Sequence, residues 1–158
     1  MLISIRLATR RDAEAITKII NTAFAIAEGF FIDGDRITLE EVIASLSKGE
    51  FLIAEDVHGL VGCVYLEPQG ERAYLGLLSV DPSRQQTGLG SQLLKAAEEH
   101  RASQGSKSIY MKVVNLRTEL PPYYRKRGYV ETGTSPFPEG VPTKLPCWFI
   151  EMSKQLLP

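Results

Sequence analysis

The sequence predicts an α/β fold class, a mixed sheet that carries helices on both of its faces. Strand-like and helix-like segments follow one another in the order β-α-α-β-β-β-α-β-α-β-β. A strand, a helix and a further strand in mid-chain predict a parallel crossover, whereas the hairpin turns predict antiparallel neighbours. The 158 residues suffice for one well-packed core and are too few for two, so residues 1–158 are expected to form a single domain.

The first third of the chain predicts one strand and two helices. Residues 3–7 alternate apolar and polar side chains, which is typical of a half-buried strand. Thr9 with Asp12, and Thr38 with Glu41, have the spacing of a capping box, and each pair precedes an apolar stripe of helical period. Two helices are therefore expected to begin at these pairs.

The middle of the chain predicts a hairpin followed by a crossover. Residues 51–56 and 60–66 are apolar strands on either side of a short turn. Residues 72–80 predict a central strand. A helix that ends near Ser103 and an interior strand at residues 108–114 complete the crossover.

The last third predicts a short helix and two strands. Thr118 is the expected cap of the helix, and Gly128 its end. The basic run at residues 125–127 is interpreted as cations that offset the helix dipole, rather than as a nucleic-acid patch. The remaining segments are predicted as a strand at 129–132, a proline-rich loop at 135–146 and a last strand at 147–152.

Composition excludes several classes of function. The net charge is −1, with 44% hydrophobic and 23% charged residues, so neither nucleic acid nor a membrane is expected as a partner. No apolar run reaches the length of a membrane span, and the N-terminus lacks a signal-peptide core, so the expected location is cytoplasmic. Cys63 and Cys147 are expected to be buried thiols, and His58 and His100 are isolated, so no metal site is expected.

A glycine-containing loop joins the central strand to the following helix. Asp81 and Pro82 end the strand, and Gly88-Leu89-Gly90 leads into the helix. The first amides of a helix lack helical partners, and glycines let an anion approach them, so the loop predicts a phosphate cradle. The alternative is that the glycines serve only a tight turn. No Lys-Ser or Lys-Thr follows, which excludes a P-loop.

The segment Gln85-Gln86-Thr87-Gly88-Leu89-Gly90 resembles the acyl-coenzyme A loop of the GNAT superfamily of N-acetyltransferases. That motif is Gln or Arg, two residues, Gly, one residue, then Gly or Ala. The order of predicted elements is also similar to the GNAT fold. The resemblance implies acetyl-coenzyme A as cosubstrate, with contacts at Leu78, Val80, Arg84, Gln85, Gln86, Thr87, Gly88, Leu89, Gly90 and Ser91.

A second resemblance to the same family lies at Asn115 and in the run from Tyr124 to Gly128-Tyr129. It implies that Tyr124 contacts the cofactor and protonates the departing thiolate, and that Asn115 contacts the cofactor. A core aromatic is the alternative for Tyr124, and a strand-end cap is the alternative for Asn115. Members of this family are often dimers, so a homodimer is one possible state, and the sequence leaves it open.

The resemblance implies direct transfer of an acetyl group, in a ternary complex without an acyl-enzyme, to a primary amine of a small molecule or peptide. The alternatives are a non-catalytic acyl-coenzyme A module and a different nucleotide-phosphate binder. Glu28 is the candidate general base, against the alternative of a solvated helix-end carboxylate. Glu71 and water are the other candidates. The aromatic residues proposed to line the acceptor pocket, unless they belong to the core, are Phe30, Phe31, Phe137 and Trp148.

Overall fold

The computed structural model describes residues 2–156, which form seven strands and four α-helices. The strands are β1 (Ser4–Leu7), β2 (Glu50–Asp56), β3 (Gly59–Gln69), β4 (Arg72–Val80), β5 (Ser108–Val114), β6 (Val130–Pro136) and β7 (Trp148–Gln155). The helices are α1 (Ala13–Glu28), α2 (Leu39–Lys48), α3 (Leu89–Ser103) and α4 (Leu120–Arg125). The predicted element order is confirmed.

The strands form one mixed sheet in the order β1-β2-β3-β4-β5-β7-β6. Only β4 and β5 pair in parallel, because α3 carries the chain back between them. The other neighbouring pairs are antiparallel. The predicted fold class, a mixed sheet with one crossover, is therefore confirmed.

Helices cover both faces of the sheet. Along β2, apolar side chains point to both faces, so each face needs a helical layer to bury them. Phe51 and Ile53 pack beneath α1 and α2, while Leu52 and Ala54 pack beneath α3, since successive strand residues face opposite sides. The layer under α1 and α2 includes Ile16, Ile20, Val42, Phe51 and Tyr65. The layer under α3 and α4 includes Leu66, Leu93, Leu94, Met111, Tyr124 and Tyr129.

Both predicted capping boxes are present. The Thr9 amide donates to Asp12 Oδ2 at 2.8 Å, and the Glu41 amide donates to Thr38 Oγ1 at 3.1 Å. A short 3₁₀ turn at Arg10–Asp12 separates the first box from α1. These local hydrogen bonds fix the starts of the helices independently of the sheet.

The predicted boundaries were wrong where a neighbouring strand extends an element. Ser135 and Pro136 were assigned to a loop but pair with Phe149 and Trp148, so β6 runs to Pro136. Proline is tolerated there because β6 is an edge strand. The cap of α4 is Glu119 rather than Thr118.

An opening between β4 and β5 creates space inside the sheet. The two strands pair only from Arg72 to Tyr74, opposite residues 108–110. On its other edge β4 carries a bulge opposite β3, and Leu77 there has φ 57°, a conformation rare for a residue other than glycine. The bulge turns the end of β4 away from β5.

Candidate active site

A cleft of about 980 Å³ passes through the opening between β4 and β5. Residues 74–80 of β4 and 111–114 of β5 form its walls. The part near the start of α3 and α4, called the α3 arm, is lined by Gly88, Gly90, Ser91, Tyr123, Tyr124 and Arg127. The part near the end of α1, called the α1 arm, is lined by Phe24, Glu28, Asp33, Asp35, Arg36, Glu41, Tyr74, Lys112, Arg117, Phe137 and Phe149. The cleft thus connects the two faces of the sheet.

The α3 arm begins at an unblocked helix N-terminus. Gly88 caps α3 with φ 85°, which favours glycine, and its carbonyl accepts the Gln92 amide at 3.0 Å. The amides before Gln92 have no acceptor within the helix. A Cβ added at Gly88 would have no atom within 4 Å, so open space adjoins this backbone, whereas one added at Gly90 would contact Tyr123 Oη at 3.7 Å. These features suit an anion.

Arg127 adds a fixed positive charge to the α3 arm. Its Nε donates to Ser91 Oγ at 3.1 Å, its Nη1 donates to the Tyr123 carbonyl at 2.9 Å, and its guanidinium carbon lies 3.6 Å from the centre of the Tyr123 ring. Within residues 2–156 no carboxylate pairs with it. Arg125, by contrast, is exposed and pairs with Glu131 at 3.1 Å.

Arg127 could not be singled out from the sequence. Residues 125–127 are three consecutive cations at a helix end, and no local signal separates them. The difference arises because one side chain of the run turns toward α3 while another turns toward β6.

Most of the predicted cofactor-contact residues line the cleft, namely Leu78, Val80, Arg84, Gln85, Gln86, Gly88, Gly90, Ser91 and Tyr124. Thr87, Leu89 and Asn115 do not. The Thr87 hydroxyl donates to the Arg84 carbonyl, and Leu89 is buried in the core. Asn115 Oδ1 accepts the Trp148 amide at 2.8 Å, which is the strand-end contact of the alternative interpretation. The guanidinium of Arg84 pairs with the Asp56 carboxylate.

Tyr124 is buried on α4 and presents its side chain to the cleft. Its ring packs edge-on against Tyr123 and Tyr129, with centroids 5.2 and 5.7 Å away. Within residues 2–156 the hydroxyl has no hydrogen-bond partner, so it is available to a ligand. Burial, with a smaller effect of Tyr123, raises the pKa of Tyr124 to about 12, so the hydroxyl stays protonated at neutral pH.

Glu28 ends α1 and is only 6% exposed, so it is not the solvated carboxylate of the alternative interpretation. Its Oε2 accepts Arg117 Nη1 at 3.0 Å, while Arg117 Nε also donates to Glu119 at 2.9 Å. Burial raises the pKa of Glu28, although the charge and hydrogen bond of Arg117 oppose the shift. Glu71 is exposed, pairs with Lys107 at 3.1 Å and does not line the cleft.

The aromatic lining differs from the prediction. Of the four aromatics proposed for the acceptor pocket, only Phe137 lines the cleft. Phe31 is fully buried, whereas Phe30 and Trp148 are 54% and 47% exposed. Phe24, on the apolar stripe of α1, and Phe149 of β7 line the cleft instead. Neither could be assigned to the cleft from the sequence, because an aromatic on a helical apolar stripe (Phe24) or within a strand (Phe149) has the pattern of a core residue.

Two segments meet beside the α1 arm, and we call this contact the loop bridge. Ile32, between α1 and α2, pairs with Thr143, between β6 and β7. The Lys144 amide donates to the Phe31 carbonyl at 2.7 Å, and Lys144 Nζ lies 3.2 Å from Asp33 Oδ1. Backbone hydrogen bonds therefore close one side of this arm.

The cysteines and histidines lie outside this chemistry. Cys63 is fully buried, and burial raises its pKa to about 12, while Cys147 is only partly buried. His100 of α3 pairs with Glu50 of β2 at 2.9 Å and does not line the cleft. Among residues 2–156 no cluster of metal-binding side chains occurs, and none of the helices has the length and apolar character needed to cross a bilayer.

Comparison with known proteins finds one family. The family described as "Acetyltransferase (GNAT) domain" matches residues 47–131. The chain is 31% identical to an amino-acid acetyltransferase of Ralstonia nicotianae over 137 aligned residues. The aligned region covers 85% of this chain and 28% of that protein. The chain thus spans well under two thirds of that curated relative's length.

Solved structures share the fold. The Ard1 structure from Thermoplasma volcanium superposes with a TM-score of 0.82 at 19% identity, covering 100% of both chains. The PaiA N-acetyltransferase of Thermoplasma acidophilum, in complex with coenzyme A, superposes with a TM-score of 0.75 at 19% identity, covering 98% of this chain and 99% of that one. At these identities the likeness concerns the fold.

Proposed function

Since this chain belongs to the GNAT acetyltransferase family, we propose that it transfers an acetyl group from acetyl-coenzyme A to a primary amine of a small molecule or peptide. The observation that carries the proposal is a single cleft that joins the free amides at the start of α3 to the Tyr124 hydroxyl and the Glu28 carboxylate. The name of the Ralstonia nicotianae relative also makes free amino acids a class of acceptor to test.

The α3 arm fits the diphosphate of the cosubstrate. It offers helix amides, open space at Gly88 and the Arg127 guanidinium, which together favour an anion. The edge of β4 beyond Tyr74 has no pairing with β5, so backbone groups near Leu78 and Val80 are available to the pantetheine arm. The bound cosubstrate supplies an acetyl thioester, whose carbon–sulfur bond breaks as the amine nitrogen bonds to the acetyl carbon.

Tyr124 would stabilise the departing sulfur. Its pKa of about 12 lies above the reference pKa of a thiol, about 8.5, so full proton transfer from Tyr124 to the thiolate is uphill. We therefore assign to its hydroxyl a hydrogen bond to the developing thiolate, which takes its proton from water afterwards. Glu28, whose carboxylate lines the other arm, would accept the proton that the attacking amine loses.

Ligand-dependent thermal unfolding tests the proposal. Coenzyme A at one hundred times its Kd should add about 2.7 kcal/mol of stability, whereas ATP and NAD should add much less. Release of free thiol from acetyl-coenzyme A over a panel of amines then tests catalysis. Protection without thiol release would favour the non-catalytic module, and no protection by coenzyme A would overturn the assignment of the α3 arm.

Replacing Glu28 with glutamine should remove from the pH profile of kcat/KM the acidic limb that the carboxylate causes, and should lower the plateau about a hundredfold, while the limb due to protonation of the acceptor amine remains. The buried carboxylate has a pKa raised above 4.5, so in the parent protein kcat/KM should rise as pH rises through that raised value. Arg117 and Arg36 lower the pKa of Glu28 and Glu119 raises it, so the proteins compared in this experiment keep all three side chains unchanged. Steady-state rates between pH 5 and pH 9 give the profile.

Unfolding free energies of the same two proteins separate chemistry from folding. Because folding raises the pKa of Glu28, its contribution to stability is present below pH 4.5 and is lost as pH rises through the folded value. Glutamine keeps an acceptor for Arg117 and has no such loss, so at pH 8 the variant should be no less stable than the parent. A variant whose pH profile of kcat/KM has the same shape and plateau as that of the parent would exclude Glu28 as the base.

A further inference from the structure

We infer that the amine acceptor also carries a carboxylate, so that the substrate is a small amino acid rather than a simple amine or a protein. The inference rests on the proposed acetyl transfer and concerns the α1 arm of the same cleft. It follows from two positively charged side chains that line this arm and pair with no carboxylate in residues 2–156, namely Arg36 and Lys112.

The sheet places Lys112 in the α1 arm. Tyr110 and Lys112 are two residues apart on β5 and therefore face the same side, where Tyr110 packs against Tyr74, 5.4 Å between ring centroids. Tyr74 packs against the layer under α1 and α2. Met111 and Val113 belong to the opposite layer. Lys112 therefore lies on the side of Glu28, away from the α3 arm.

Arg36 lies beside the same carboxylate. Arg36, Glu28 and Tyr74 line the same cleft, and the positive charge of Arg36 lowers the pKa of the other two. Its guanidinium carbon is 5.6 Å from the centre of the Phe24 ring, and Lys112 Nζ is 5.9 Å from the centre of the Phe149 ring. Both cations thus contact aromatic faces, which leaves their hydrogen-bond donors available to a ligand.

Most carboxylates of the α1 arm are already engaged. Glu28 pairs with Arg117, Asp33 pairs with Lys144, and Glu41 accepts the Thr38 amide. Asp35 is exposed and is the remaining carboxylate in the lining. An acceptor with a carboxylate would therefore meet Arg36 and Lys112, while its amine would meet Glu28.

The loop bridge limits the size of the acceptor. Ile32 and Thr143 pair across one side of the α1 arm, and the Lys144 amide is bonded to the Phe31 carbonyl. A folded protein surface would have to displace these backbone bonds to approach from that side. A free amino acid needs no such displacement, which favours a small acceptor.

Matched pairs of acceptors test the inference. Each pair is one free amino acid and its carboxamide, which share their shape and amine but differ in the charge of the terminal group. The kcat/KM for the acid should exceed that for the amide at least about tenfold. In a free amino acid the carboxylate raises the pKa of the neighbouring amine. At pH 8 the carboxamide therefore has the larger fraction of neutral amine. This difference by itself favours the amide, so it opposes the expected preference for the acid.

Variants assign the preference to the two cations. Arg36→Gln and Lys112→Gln should each lower the acid-to-amide ratio of kcat/KM, and the double variant should bring the ratio close to one. The ratio cancels any effect that the loss of the Arg36 charge has on Glu28, because the same carboxylate acts on both acceptors. Lys107→Gln is the control, because Lys107 is exposed, pairs with Glu71 and lies outside the cleft. Its ratio should equal that of the parent.

The outcomes separate this inference from the proposed function. An acid-to-amide ratio of one or less in the parent, or a ratio that neither variant changes, overturns the inference. Protection by coenzyme A with acetylation of neither acids nor amides also overturns it and leaves the cofactor assignment standing. Absence of coenzyme A protection in the parent protein overturns the proposed function itself.

Discussion

Replacing Tyr124 with phenylalanine is expected to lower kcat at least about a hundredfold while leaving the Kd for coenzyme A within about threefold of the parent. The change removes one hydroxyl that lines the cleft and has no partner in residues 2–156, so no internal hydrogen bond is lost. The ring contacts with Tyr123 and Tyr129 are kept. Single-turnover thiol release and titration calorimetry measure the two quantities.

Tyr129→Phe is the matched control for this prediction. Tyr129 belongs to the same aromatic cluster, but its hydroxyl donates to Glu98 Oε2 at 2.7 Å and does not line the cleft. Losing that bond to a carboxylate should cost about 1.5–3 kcal/mol of stability and leave kcat unchanged. If Tyr124→Phe keeps kcat within threefold of the parent, the hydroxyl has no role in catalysis, and Tyr124 is a packing residue as the alternative interpretation holds.

Replacing Arg127 with glutamine is expected to raise the Kd for coenzyme A about thirtyfold. The guanidinium is held by Ser91, the Tyr123 carbonyl and the Tyr123 ring beside the start of α3. A hydrogen bond between a charged group and a phosphate contributes about 1.5–3 kcal/mol, which corresponds to roughly ten- to a hundredfold in Kd. Binding at two salt concentrations should also show a weaker salt dependence in the variant.

Arg125→Gln controls for the loss of one positive charge on the same segment. Arg125 pairs with Glu131 on the surface, so this variant should bind coenzyme A as the parent does. Dephospho-coenzyme A, which lacks the 3′-phosphate, shows which phosphate Arg127 contacts. If Arg127 contacts the 3′-phosphate, the parent and Arg127→Gln should bind dephospho-coenzyme A with equal affinity. If it contacts the diphosphate, the variant should bind dephospho-coenzyme A more weakly. Equal affinities of the parent and Arg127→Gln for coenzyme A itself would exclude the contact altogether.

Local sequence patterns determined the architecture of this protein. The capping boxes at Thr9 and Thr38 and the glycines of the α3 loop act through neighbours only a few residues away, so they could be interpreted without a fold. The period of the apolar residues then fixed which faces are buried, and the crossover fixed the one parallel pair. The GNAT family could be inferred because its loop motif and helix motif each lie in one short segment.

The tertiary structure alone decided which side chains share the cleft. Glu28 was a candidate from its position at a helix end, but its burial and its pairing with Arg117, which lies 89 residues away in the chain, could not be seen in the sequence. The selection of Arg127 over Arg125, and of Phe24 and Phe149 over Phe30 and Trp148, also depends on where each side chain turns after packing. A sequence pattern sets the face of a helix or strand, whereas the set of side chains that line the cleft depends on how distant segments pack and on the separation of β4 from β5 beyond Tyr74.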